Sequence, residues 1–232
     1  MEALVNGFTL NIADGCFPLS SDSMVLADFV KLQRNAAVLD LGAGCGTLGV
    51  LLCAGDPSCH VTGIEIDPVA AEASRKNIAD NRLESRLHIL CRDLRGISDF
   101  LPAGSFSCCL SNPPYFSGGP ASNQLPAARR EDFCTPEDLF RAAGWALKYG
   151  GDFYLVQKPE RLGQLIGEGF RQGFACKQLR LIRHRENGPV TLVLLKLRKG
   201  GKPGMLLDEL SFYTSEGRPT EDYKRIYHIE EA

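Results

Sequence analysis

Ala37-Val38-Leu39-Asp40-Leu41-Gly42-Ala43-Gly44-Cys45-Gly46-Thr47-Leu48-Gly49 is the stretch that decides the fold. Ala37 to Leu41 is apolar except for Asp40 at its end, as a buried strand would be. Gly42, Gly44 and Gly46 follow at alternate positions, where no side chain blocks a tight turn or a ligand. Thr47 then opens an apolar helical run, Leu48 to Ala54. A strand, a glycine turn and a helix in this order bring a nucleotide-like ligand to the helix N-terminus. The spacing is G-x-G-x-G, not the G-x-G-x-x-G of dinucleotide-binding turns, and no Gly-Lys-Ser/Thr follows. Both facts weigh against a dinucleotide site and a P-loop.

Outward from that turn the chain alternates strands and helices. Upstream, Ser20 to Ser23 can cap a helix that carries Met24, Val25, Leu26, Phe29, Val30 and Leu32 on its apolar side. Downstream, strands are expected at 61–66, 87–91, 106–110 and 152–156, then at about 177–183 and 190–197. Asp67-Pro68 starts one helix. Thr135-Pro136-Glu137-Asp138 starts another, with a threonine cap, proline at the first helical position and acids in the first turn. Residues 116 to 128 read as a polar loop. The order implies an α/β fold: a Rossmann-like, seven-stranded, mostly parallel sheet with helices on both faces. Residues 1–35 read as an N-terminal strand and helix extension packed on a core of 36–199. Residues 200–232 read as a C-terminal tail with a short strand near Leu206 to Phe212. Tyr154, Phe170 and Phe174 read as core.

The 232 residues suit a single domain, and a 44% hydrophobic fraction is ample for its core. A net charge of −2 gives no global pull toward nucleic acid, yet residues 1–116 carry −5 and residues 117–232 carry +3. A basic surface therefore belongs to the second half. The nine cysteines form no C-x-x-C pair and mostly sit in apolar runs, as reduced cysteines do in a cytoplasmic protein. The histidines, His60, His88, His184 and His228, are scattered, so no metal site is expected. No segment reaches the length of a membrane span.

In a parallel sheet, ligands sit at the carboxyl ends of the strands, and the unusual residues all fall there. Glu65 ends the second strand, where an acid can accept hydrogen bonds from ribose hydroxyls. Asp93 follows the third and could accept from an adenine amino group. Asn112-Pro113-Pro114-Tyr115 follows the fourth. Two prolines fix the backbone and remove two N–H donors. The Pro113 carbonyl then stands beside the Asn112 side-chain oxygen, and two adjacent acceptors suit a planar NH2 group. Tyr115 offers a flat face for a ring.

Asp40 to Gly46, Glu65, Asp93 and Asn112 to Tyr115 together resemble the class I S-adenosylmethionine-dependent methyltransferases, over about residues 17 to 198. The N-P-P-Y sequence narrows the resemblance to enzymes that methylate an exocyclic or amide nitrogen. Within that group the chain resembles the bacterial tRNA(Val) adenine N6-methyltransferase family, which acts on the adenine next to the anticodon. Phe17 to Ser23, with Leu26 and Phe29, is similar to that family's opening motif. Ala128-Arg129-Arg130-Glu131 resembles its Ala-Arg-His-Glu, with Arg130 in place of histidine. Lys196 to Gly204 and Thr214 to Tyr227 resemble its Lys-Gly-Gly tail. The resemblance implies S-adenosylmethionine as cofactor, held by Asp40, Gly42, Ala43, Gly44, Gly46, Glu65, Ile66, Asp93, Leu94 and Asn112. It implies methyl transfer at Asn112, Pro113, Pro114 and Tyr115, and RNA, a tRNA in particular, as partner.

Between Lys177 and Lys202 eight basic residues stand against the single acid Glu186, a run that could track phosphates. Lys177, Arg180, Arg183, Arg185 and Lys199, with Arg129 and Arg130 beside the N-P-P-Y loop, are the candidate RNA contacts. The competing readings use the same pocket on other amines. One is a glutamine amide, as in release-factor methyltransferases, which usually carry an extra N-terminal helical domain. Another is guanine N2 of ribosomal RNA, whose enzymes usually show Phe in place of Tyr115. A DNA adenine methyltransferase would need a target-recognition domain. A non-catalytic RNA-binding scaffold would have no need of Asp40, Glu65 and Asn112 together.

Overall fold

The structure is a computed structural model; it describes residues 2–14, 16–113 and 134–229. The chain enters through a two-stranded antiparallel ribbon, β1 (Glu2–Ala3) and β2 (Thr9–Leu10), and helix α1 (Ser21–Phe29). The alternating part follows: β3 (Ala37–Leu41), α2 (Thr47–Gly55), β4 (His60–Glu65), α3 (Pro68–Asp80), β5 (Leu87–Cys91) and β6 (Phe106–Ser111). Then come α4 (Pro136–Ala146), β7 (Leu147–Gln157), α5 (Leu162–Arg171), β8 (Phe174–Arg185), β9 (Val190–Lys199), β10 (Leu206–Tyr213) and α6 (Glu221–Ile226).

Local chemistry sets the ends of these helices. Thr135 accepts from the Asp138 N–H while Asp138 reaches back to the Thr135 N–H, a capping box with Pro136 at the first helical position. Asp67 caps α3 in front of Pro68. Helix α4 ends at Ala146 because the chain from Leu147 already pairs with Phe106 of β6.

The main sheet has eight strands in the order β10-β8-β9-β7-β6-β3-β4-β5. All run parallel except β9, which is antiparallel to both β7 and β8. The mostly parallel α/β sheet expected from the sequence is present, but the count of seven is corrected to eight. The extra strand is β10, from the C-terminal segment, which pairs in parallel with β8 from Leu206↔Gln178 to Tyr213↔Arg185 and so covers what would otherwise be an open edge.

Successive strand residues face opposite sides, which builds two cores. On one face Val38, Leu110, Tyr154 and Val156 pack with Val25, Leu26 and Phe29 of α1 and with residues of α2 and α3. On the other, Leu39, Cys109, Phe153 and Leu155 pack with Leu139 and Phe140 of α4 and Leu165 of α5. Phe140 meets Phe153 and Phe174 edge to face at 5.3 and 5.7 Å. Tyr154 and Phe174 are core, as read; Phe170 is corrected to a surface residue, 81% exposed, because α5 turns Leu165, Glu168 and Gly169 inward instead. All nine cysteines are free. No helix among the described residues is long and apolar enough to cross a membrane.

Candidate active site

The carboxyl ends of β3, β4 and β6 lie side by side and carry most of the unusual residues. At the exit of β3 the chain turns through Gly42, Gly44 and Gly46, all at positive φ. Gly44 donates its N–H to Glu65 Oε2 at 2.7 Å, so the acid that ends β4 holds the turn. Gly46 caps α2 in the left-handed region, and a Cβ there would stand 2.3 Å from Ser74 Oγ of α3. Asn77, buried on α3, donates to the Cys45 carbonyl at 2.9 Å and to the Asn11 carbonyl at 2.8 Å, clamping the turn from behind. Ala43 is buried below the turn, whereas a Cβ on Gly42 or Gly44 would meet nothing within 4 Å. The upper side of the turn is an open cradle.

Asp40 lies under that cradle, 1% exposed, and neither carboxylate oxygen has a hydrogen-bond partner. Burial first, and the Glu65 carboxylate second, push its pKa up to about 8. A buried acid with two unused acceptors is costly unless a donor or a cation arrives to meet it. Glu65 itself is half-buried. Besides the Gly44 bond it accepts the Asp67 N–H on Oε1 at 2.8 Å, so each oxygen retains acceptor capacity. Ile66 beside it is 41% exposed and offers apolar surface.

Asp93 is arranged differently from its sequence reading. It caps the 3-10 turn that begins at Leu94, and its carboxylate is gripped by Arg95, with Nη2 to Oδ2 at 2.6 Å. The Arg95 hydrogen bond holds the Asp93 pKa below the usual carboxylate range. Its acceptors face a guanidinium.

Asn112 leaves β6 at the same edge. Its Nδ2 donates to Ser23 Oγ of α1 at 3.1 Å, across 89 positions of sequence. Ser23 is buried, and Ser111 Oγ donates to the Leu41 carbonyl at 2.7 Å, locking the ends of β6 and β3 together. With its NH2 donating to Ser23, the Asn112 amide keeps its oxygen as an acceptor. Pro114, Tyr115, Arg129 and Arg130 lie outside the described residues.

The structure divides the basic run. Because β9 is reversed, Arg183 and Arg185 come at the same sheet edge as Asn112, while Lys177 and Lys199 come at the opposite edge. Arg180 lies between, bound through Nε and Nη2 to Asp208 at 3.0 and 2.7 Å and stacked 5.2 Å over Phe29. Lys199 donates to the Leu147 carbonyl and Lys177 to the carbonyls of Lys202 and Gly204. Arg183 is drawn toward Glu209 and the Gly188 carbonyl. Arg185 is exposed. Among the described residues no cluster of His, Cys, Asp or Glu could hold a metal.

Sequence reasoning placed Ser23 in a capping segment and gave no role to Asn77 or Gln157. Their only signal in sequence is a polar residue on the buried side of its element.

One reversed strand beside β7 in an otherwise parallel sheet, with a glycine cradle over a buried acid, is the architecture of the class I S-adenosylmethionine-dependent methyltransferases. The cradle fits that cofactor: Asp40 and Glu65 have acceptors for its ammonium and ribose, and the positive-φ glycines leave its path clear. The chain belongs to the methyltransferase small domain family, whose model matches residues 19–172. It is similar to the tRNA1(Val) (adenine(37)-N6)-methyltransferase of Photobacterium profundum, with 28% identity over 203 residues, 84% of this chain and 85% of the relative. A protein of the same name from Aliivibrio salmonicida is 26% identical over 192 residues, 82% of this chain and 81% of the relative. Among solved structures, a predicted O-methyltransferase, protein Atu636 from Agrobacterium tumefaciens, shares the fold at a TM-score of 0.76 and 22% identity, over 89% of this chain and 95% of that one.

Proposed function

We propose that this methyltransferase acts on the exocyclic N6 of an unpaired or flipped adenine in RNA, specifically a tRNA adenine next to the anticodon. The observation that carries the proposal is the Asn112–Ser23 hydrogen bond, which occupies the amide's NH2 and leaves its oxygen as an acceptor for a target amine. The curated relatives, both named for adenine-37 of tRNA1(Val), supply the substrate class.

An adenine amine is a poor nucleophile because its lone pair is delocalised into the ring. Donating both N–H bonds, one to Asn112 Oδ1 and one to the Pro113 carbonyl, favours a pyramidal nitrogen and directs the lone pair out of the ring plane. S-adenosylmethionine, when bound, supplies an electrophilic methyl group on sulfur. Asp40 would meet its ammonium and Glu65 its ribose hydroxyls, with Ile66 and Leu94 as the apolar surface for its base. With the cofactor bound, the nitrogen lone pair would form the new N–C bond as the C–S bond breaks, the sulfur leaving as the neutral thioether of S-adenosylhomocysteine, and the surplus proton would then pass from the cationic nitrogen to solvent. No general base is needed. Acceleration comes from alignment and from acceptor dipoles fixed before the reaction. The target base must leave its stack to reach this edge, and a Tyr115 ring stacked on it would offset about 1–3 kcal/mol of that cost.

The test is methyl transfer from labelled cofactor into total tRNA, ribosomal RNA and a release factor, followed by nucleoside and peptide mass spectrometry. N6-methyladenosine in tRNA is the expected product. Label in a glutamine side chain or in guanine N2 would overturn the proposal.

A further inference from the structure

Gln157 is the last residue of β7 and is wholly buried, yet its Nε2 has no hydrogen-bond partner. Its other end is accounted for. Oε1 accepts the N–H of Lys158 at 2.9 Å, which fixes the amide and turns its NH2 away from its own backbone. Buried amide donors without partners are rare, because each one forfeits its bonds to water. Nothing among the described residues answers the Nε2 end. Leu155 and Phe153, two and four residues earlier on the same face, are apolar core, and so is Val193, the paired residue of β9.

Its place is informative. The last paired residues of β6 and β7 are Ser111 and Leu155. Two residues further along each strand stand Pro113 and Gln157, at the carboxyl edge where the acceptor pair lies. By strand alternation the Asn112 side chain lies on the α1 face and Gln157 on the α4 face, with the Pro113 main chain between them. An adenine whose amine is held by Asn112 and Pro113 would come to the same edge of the sheet, one strand from Gln157. In adenine the atom next to the amine-bearing carbon, on either side, is a bare ring nitrogen or leads to one: N1 on one edge, N7 on the other. Both are acceptors.

Resting on the adenine reading above, we infer that Gln157 is a specificity residue that donates its Nε2–H to a ring nitrogen of the target adenine. A donor already stripped of water gains a full hydrogen bond when that acceptor arrives and loses it when the wrong base does. Sites built this way reject a ligand lacking the partner atom far more strongly than apolar pockets reject a missing methylene. Guanine, with a protonated N1 beside its carbonyl, would face the donor with a donor on that edge. Gln157 would thus add a reading of the ring to the reading of the amine.

The experiment compares wild type, Gln157→Leu and Gln157→Met on short tRNA anticodon stem-loops carrying adenine, 1-deazaadenine or 7-deazaadenine at the target position. Wild type should lose about ten- to a hundred-fold in kcat/KM on one of the two deaza substrates. Both variants should lose a similar factor on adenine and no longer distinguish that deaza base from it. Thermal unfolding of the cofactor-free proteins gives a readout apart from activity: both variants should melt at or above the wild-type temperature, since each removes an unpaired buried donor. Full activity of the variants on adenine, an unchanged deaza penalty, or a large drop in melting temperature would overturn the inference, the last by showing that the amide is partnered within the protein. Absence of any wild-type transfer to adenine would instead overturn the function on which it rests.

Discussion

Asp40 should make cofactor binding a proton-releasing event. Its pKa is pushed up to about 8, chiefly by burial and secondarily by Glu65. At pH 7 about nine in ten molecules then carry a neutral Asp40, and at pH 6 about ninety-nine in a hundred. A cationic ligand requires the ionised form. Affinity should therefore rise about ten-fold per pH unit between pH 6 and 7.5, where the cofactor's own amine stays largely protonated. Titration calorimetry at pH 7 in buffers of different ionisation enthalpy should find about 0.9 proton released per cofactor bound. Stability carries the opposite sign to that of an ordinary surface acid. The folded pKa is raised above the unfolded value of about 4, so between pH 4 and 8 the folded state holds a proton that the unfolded state has lost. Cofactor-free protein should lose about 1.4 kcal/mol per pH unit across that window from this group alone. Asp40→Asn should remove that slope, melt above wild type at pH 8, release no proton, and bind the cofactor weakly at every pH. Wild-type binding without proton release, together with an Asn variant whose pH profile matches wild type, would refute the placement of the cofactor's charge over Asp40.

Ser23→Ala should free the Asn112 amide to flip, lowering kcat about 5- to 50-fold while the cofactor dissociation constant, read by calorimetry, stays within a few-fold. Gly46→Ala forces a Cβ into a positive-φ position and against Ser74 Oγ; chemical denaturation should show a loss of about 2 kcal/mol or more, part of which Gly46→Ala/Ser74→Ala restores. Arg185→Ala should weaken tRNA binding and reduce the salt slope of the binding constant by about one, whereas Lys199→Ala, at the far edge of the sheet, should leave both unchanged.

The readable parts of this chain are those whose physics is local. The glycines after β3 announce a turn because only glycine enters positive φ freely, and Thr135-Pro136 announces a helix because cap and first residue adjoin in sequence. Glu65 could be placed at a strand end, though not the bond to Gly44 that makes it hold the turn. What was hidden depends on tertiary neighbours. The orientation of the Asn112 amide is set by Ser23 on a helix far upstream. The strand near Leu206 was legible, but not its place as the eighth strand of the sheet, which depends on the edge that β8 leaves for it. The grip of Arg95 on Asp93 was not revealed by their adjacency in sequence. The count of basic residues from 177 to 202 was correct as a count, but a reversed strand sends Lys199 and Arg183 to opposite edges. The signal at Gln157, a polar residue on the buried side of its strand, is easily lost, since an amide ending an apolar strand looks like a strand meeting solvent.

The most direct test pairs two measurements on Asn112→Ala: single-turnover methyl transfer to tRNA and the dissociation constant of S-adenosylmethionine. Because Asn112 is assigned chiefly to gripping the amine, transfer should fall to background while cofactor affinity stays within a few-fold of wild type. Transfer at near wild-type rate, or an equal and large loss of both, would contradict the assignment.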